Sequence, residues 1–418
     1  MLEYIRKLWK ITELRNKIVY TFLMLLLFRL VGCIPAPGID LSRLGMGGTD
    51  LPLLDMMNMM TGGAMSQMTI MAMGISPYIN SSIIMQLLCI ALPVLERMQQ
   101  EEGGREKINR ISRYVTIALA VIQAIGLSNG LGYAKDGLWN NILIGVSMAG
   151  GTALAMWIGE RITEKGIGNG ISLLIFAGIV SNLFNGIVSG FRTASTITGL
   201  VGALVILLVL VILTFVVTFI DLGERRIPLQ IAKQVKGRRV YGGQNTHMTL
   251  KVISVGVMPL IFAYSFLSFP GTIGQLVAPN SGFTAWCNEN LVNGAWFHLF
   301  LSALLIFAFT FFYSSISFDA KKQAEQLQHQ GATIPGRRGK DIASYLQRTT
   351  NRLNLFAACF LAVLAAIPTL MLSGLSLQVP FAASSMLIAV SVSLESMRTI
   401  KGEMAIRGIE SDKDNGFM

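Results

Sequence analysis

Apolar runs long enough to cross a bilayer recur ten times along this chain, at about 18–35, 69–93, 113–133, 139–158, 171–190, 199–220, 252–271, 298–318, 352–372 and 378–398. A helix rises about 1.5 Å per residue, so about 20 apolar residues cover the hydrocarbon core. No soluble core has room for so many such runs. Only 14% of the 418 residues are charged, against about a quarter in soluble domains. An all-α integral membrane protein is expected, because a helix satisfies its own backbone hydrogen bonds where water is absent. The 42 glycines suit close helix packing in lipid.

The basic residues order these runs. The formal net charge is +11, and 30 of the 34 Lys and Arg lie at the N-terminus, in every second loop or after residue 397. The alternate loops hold only Arg43, Lys135 and Arg192. By the positive-inside rule both termini are cytoplasmic. A missed or invented span would break the alternation, so charge checks the count of ten. Two basic cytoplasmic loops are long, 221–251 and 319–351, and the tail 399–418 is short and of mixed charge. The first run follows Arg6, Lys7, Lys10, Arg15 and Lys17, as in a signal peptide, but has no convincing small-residue cleavage site. It reads as a retained span. Segment 52–65 is apolar but too short to cross, and a re-entrant piece surrounded by protein is the form open to it.

Chemistry-bearing patterns are sparse. His247, His298 and His329 are isolated, the four cysteines are scattered, and there is no Walker A loop. Neither a catalytic residue nor a metal or other cofactor is implied. The glycine-rich 165–170 (KGIGNG) sits between two apolar runs rather than after a strand, so it reads as a tight turn and not a nucleotide fingerprint. Ion-driven transporters place carboxylates near the midplane, and these spans have none. The one clear ionisable residue in a span interior is Arg29, toward the outer half of the first, where it either snorkels or pairs with a carbonyl. Ile75 and Ile79, and likewise Ile175 and Ile179, fall four apart on one helix face. Spacing alone reads them as ordinary packing or lipid-facing surface.

Five stretches in order along the chain resemble the SecY family of protein-conducting channels: 72–88 (AMGISPYINSSIIMQLL), 101–114 (EEGGREKINRISRY), 157–172 (WIGERITEKGIGNGIS), 224–228 (ERRIP) with 237–247 (GRRVYGGQNTH), and 256–263 (GVMPLIFA). The resemblance implies ten spans in two pseudo-symmetric halves, 1–190 and 191–398, around an hourglass pore. It implies a pore ring of Ile75, Ile79, Ile175, Ile179, Ile261 and Ile388, the last from the looser match 381–388 (FAASSMLI). A short plug helix at about 52–66 would include Asp55, Asn58, Gly62 and Gly63. A lateral gate between spans 2–3 and 7–8 would carry Gln86, Gln123 and Ile253. Basic loop tips at Arg238, Arg239, Arg337 and Arg338 would dock SecA or a ribosome, with rRNA contact through clustered positive charge.

Two departures from the family pattern stand out. Ile253 occupies a place where the family often has Asn, and 334–341 (IPGRRGKD) is one residue shorter than the family's loop and lacks its second proline. The family role implied is the central channel of a bacterial translocase in the cytoplasmic membrane. It passes unfolded secretory chains across and releases signal sequences or membrane helices into lipid. Such a channel is not an enzyme: SecA or a translating ribosome supplies the energy, SecE clamps the halves and SecG is peripheral. A secondary transporter shares two-fold repeats and broken helices, and a poreless scaffold is the third reading. Absent midplane carboxylates and large basic loops favour the channel.

Overall fold

The computed structural model of the chain describes residues 9, 11–39, 61–101, 103–130, 137–193, 197–231, 234–236, 239–241, 245–256, 258–277, 281–291, 296–336, 340–375 and 383–406. Each expected run contains a helix: α1 (Thr12–Val31), α2 (Ser76–Ala91), α4 (Gly104–Gly130), α5 (Leu138–Lys165), α6 (Gly170–Thr193), α7 (Ile197–Asp221), α8 (Met258–Val277), α10 (Trp296–Ser317), α12 (Lys340–Leu375) and α13 (Ala383–Ile406). Short helices α3 (Pro93–Gln100), α9 (Gly282–Asn290) and α11 (Ala320–His329) join them.

Among the described residues, four stretches are both long and apolar enough to cross a bilayer: Glu106–Ser128, Trp139–Lys165, Trp296–His329 and Asp341–Ala366. The pair α2–α3 makes a fifth if a 105° bend is allowed within one span. That bend follows from Pro93, which ends α2 at Leu92 and opens α3, because a residue before proline avoids the helical region. The outer face is apolar, with Phe22, Phe215, Phe219 and Phe300 exposed. Trp139 and Trp296, also exposed, sit at the starts of α5 and α10, the level of an aromatic belt.

The structure corrects the second and seventh runs. Residues 69–75 are turns, not helix. Thr69 bridges to Pro35, and the Ile70 N–H donates to the Ile34 carbonyl at 2.9 Å. Backbone bonded to another segment is not free to wind into a helix. In the seventh run, 252–256 form a turn, and the helix starts only after Gly256, whose φ is +64°.

The expectation of an all-α chain is corrected in the long loops. Loop 221–251 forms β1 (Glu224–Ile231), β2 (Gln234–Lys236), β3 (Arg239–Tyr241) and β4 (Asn245–Lys251), and the second long loop adds β5 (Ala332–Thr333). β1 pairs antiparallel with β4 from Glu224↔Lys251 to Gln230↔Asn245, and with β5 at Gln230↔Thr333 and Ile231↔Ala332. Ile227, Leu229 and Leu250 pack on Ala324, Leu327, Ile342 and Leu346 of α11 and α12. The two loops are therefore one body with its own core.

Helices α1–α6 form one group in sequence and α7–α13 another, and they touch in several places: α8 touches α2 and α4, α6 touches α7 and α13, and Lys17 of α1 pairs with Glu403 of α13. The glycine-rich 165–170 is the turn between α5 and α6. Asn169 Oδ1 caps α6 by accepting from the Ile171 and Ser172 N–H groups at 3.1 and 3.4 Å. The Ile167 N–H donates to Thr21 Oγ1 of α1 at 3.2 Å, tying the turn to the first helix.

Candidate functional site

Six isoleucines from both groups of helices converge. Ile75 immediately precedes α2, where Ser76-Pro77 starts the helix, proline being favoured in a first turn. Ile79 follows one turn later, Ile175 and Ile179 project from α6, Ile261 from α8 and Ile388 from α13. All six are buried, between 2% and 8% exposed, and share one apolar cluster with Phe28, Ile83, Phe262 and Val392. Ile75 and Ile79 are one turn apart where α2 starts, the Ile79 N–H donating to the Ile75 carbonyl at 3.1 Å, and Ile175 and Ile179 are one turn apart on α6. The single residues of α8 and α13 come from the other group.

A cavity of about 530 Å³ opens beside this cluster, with Ile79, Ile175, Ile261 and Ile388 in its wall. Its remaining lining includes Tyr78, Ser82, Gln86, Ser172, Ile253 and Tyr313, and its charged lining is Asp221, Lys251, Glu395 and Arg398. Arg398 donates to the Asp221 carbonyl at 3.3 Å, and the Ser391 hydroxyl to Asp221 Oδ1 at 3.5 Å. Asp221 ends α7 just before β1 and Lys251 ends β4, so the cavity faces the end of the bundle that carries the loops.

The SecY family sequence model matches residues 69–397. The protein translocase subunit SecY of Streptomyces scabiei is 35% identical, over 98% of this chain and 99% of its own length. The chain belongs to the SecY family. A solved structure described as a protein-conducting channel superposes with a TM-score of 0.70 at 18% identity, over 96% of this chain and 95% of that one. Sec61 in a canine ribosome–channel complex from the endoplasmic reticulum gives 0.66 at 16% identity, over the same shares. At these identities the two structures establish a shared SecY-type fold.

Within this SecY-family fold, α8 touches α2 and α4, the helices that carry two of the expected gate residues. Gln86 is on α2 and Gln123 on α4, and both amide oxygens are buried with no hydrogen-bond partner among the described residues. Ile253 is 4% exposed and belongs to the turn before α8 rather than to the seventh helix itself. It lines the same cavity as Gln86. The Ser81 hydroxyl donates to the Ser112 carbonyl at 2.8 Å, and Arg113 pairs with Glu160 at 2.8 Å. These contacts bind α2 to α4 and α4 to α5.

Of the expected plug residues, Gly62 and Gly63 are described, while Asp55 and Asn58 lie outside the described residues. So do Arg238, Arg337 and Arg338 of the loop tips. Arg239 opens β3, opposite Lys236. Sequence reasoning missed the charged cavity lining and the sheet. The sheet had a signal: in 226–230 the apolar Ile227 and Leu229 alternate with Arg226, Pro228 and Gln230, the period of a half-buried strand.

Proposed function

We propose that this chain is the central, passive channel of a bacterial protein translocase, spanning the cytoplasmic membrane ten times with both termini cytoplasmic. The observation that carries the reading is the meeting of six isoleucines from α2, α6, α8 and α13 beside a loop-facing cavity. A constriction of branched apolar side chains dewets, so it blocks ions without charge. It is also non-specific, which suits a gasket around chains of any sequence. The halves 1–190 and 191–398 part along the contact of α8 with α2 and α4, where Gln86, Gln123 and Ile253 form the lateral gate through which signal sequences and membrane helices enter lipid. Segment 52–66 is the plug. SecE and SecG complete the assembly, and SecA or a ribosome supplies the energy.

Site-specific crosslinking of a stalled secretory chain tests the pore. Photo-crosslinkers at positions 75, 179 and 261 are expected to capture the chain, and failure at all three removes the pore assignment. Docking is tested separately. The sheet joins the two basic loops, so they present one platform, and the canine relative was solved in a ribosome–channel complex. Arg338→Glu is expected to weaken ribosome or SecA binding about tenfold at physiological salt, since one reversed charge disturbs a patch built on clustered positive charge. Secretion and ribosome binding both intact would refute the docking role of that arginine.

A further inference from the structure

Arg29 is the ionisable residue that the apolar runs leave unexplained. It lies in the last turn of α1 and is half-buried. An ionised guanidinium at membrane depth is costly unless it is paired. None of the ion pairs among the described residues involves it. Instead it donates to three backbone carbonyls: Nη1 to Gly62 at 3.2 Å, and Nη2 to Ala177 and to Gly178, the latter at 3.4 Å. A guanidinium presents several donors in a fixed fork, so it can hold two backbones at once.

Those two backbones have distinct roles. Ala177 and Gly178 lie in α6 between Ile175 and Ile179. Gly62 lies at the C-terminal end of the expected plug, where the described chain resumes at residue 61. Its φ is +71°, and a Cβ there would stand 2.6 Å from the Arg29 Cζ. Glycine suits position 62 for its left-handed backbone, and a Cβ there would push the guanidinium out of its place against the Gly62 carbonyl. Arg29 and Gly62, 33 residues apart, are two halves of one contact.

We propose that Arg29 is a positioning residue that latches the plug-bearing segment to α6 beside the isoleucine ring and so holds the channel closed. The proposal rests on the plug and ring reading given above. Carbonyl partners suit a latch. They bring no counter-charge that would fix the pair permanently, and each carbonyl can find water when the segment leaves.

The test is ion conductance of the purified full-length channel, with its partner subunits, in planar bilayers. Arg29→Met is expected to raise resting conductance about tenfold, the scale of losing charge-assisted hydrogen bonds. Arg29→Lys keeps the charge and lacks the fork, so it should fall between Met and wild type. If Arg29→Met does not accumulate in membranes, the lysine variant alone decides. Gly62→Ala should leak as well. In a double-mutant cycle, Arg29→Met with Gly62→Ala should leak no more than the worse single variant, because both break one contact. Additive leaks would mean independent damage and overturn the latch, as would wild-type conductance in the Arg29 variants. Deleting 55–65 separates the two readings. Leak from the deletion but not from the Arg29 variants refutes the latch and keeps the plug, whereas no leak from either refutes both.

Discussion

The double substitution Ile79→Asn with Ile179→Asn is expected to raise ion conductance through the resting channel at least about tenfold, a change of about 1.4 kcal/mol in the barrier to wetting. The two positions lie on α2 and α6 and are 8% and 2% exposed. A dry ring leaves each new amide without partners, at a cost of about 1–3 kcal/mol per group by mutational measures. Water entering the ring removes that cost. Two amides thus supply more free energy toward a continuous water column than the tenfold effect requires, and ions follow the water. Ile79→Val with Ile179→Val keeps the ring branched and apolar, so it should leave the resting conductance near wild type while removing about one methylene's burial at each position. Planar-bilayer recordings on the two double variants decide the matter. Equal conductance in the Asn and Val channels would show that the seal lies elsewhere.

The helices were legible because apolar length and loop charge report on the bilayer, a solvent the sequence must satisfy run by run. The local exceptions come from contacts between distant segments. Residues 69–75 are as apolar as a span, but Thr69 and Ile70 bond to residues 34 and 35, and nothing near position 70 announces those partners. Membership of the isoleucine cluster was only partly legible. The spacing of Ile75 with Ile79 and of Ile175 with Ile179 places each pair on a face but reads as ordinary packing, and resemblance to the SecY family nominated all six. That four elements bring all six together is a tertiary fact. Arg29 was visible as an anomaly, but its partners are carbonyls, which every residue has, so no side-chain pattern could name Gly62, Ala177 or Gly178.

Gly150 and Gly151 are adjacent on α5 and indistinguishable in sequence, yet alanine at the two positions is expected to have opposite effects. A Cβ on Gly151 would stand 2.7 Å from the Ile70 carbonyl carbon and 2.8 Å from its Cγ2. The clash is with backbone, and that backbone cannot retreat. On the far side the Ile70 N–H is bonded to the Ile34 carbonyl, and the Ala36 N–H to the Met68 carbonyl at 3.1 Å. Met68, Met73 and Met148 pack around the same segment at 1% exposure or less. Methionine is adaptable and absorbs part of the strain, but overpacking against fixed main chain still costs about 1–3 kcal/mol. Gly151→Ala is therefore expected to lower the apparent melting temperature of the detergent-solubilised channel by about 1–4 °C. It should also shift Ile75, five residues beyond Ile70, and raise resting conductance. Gly150 faces outward with nothing within 4 Å of its Cβ position. Gly150→Ala gains up to about 1 kcal/mol of helix propensity, so melting should stay level or rise and conductance should not change. If both variants melted alike, helix propensity rather than the Ile70 contact would govern this face of α5. Then the turn at 69–75 would not be what holds Ile75 in the isoleucine cluster.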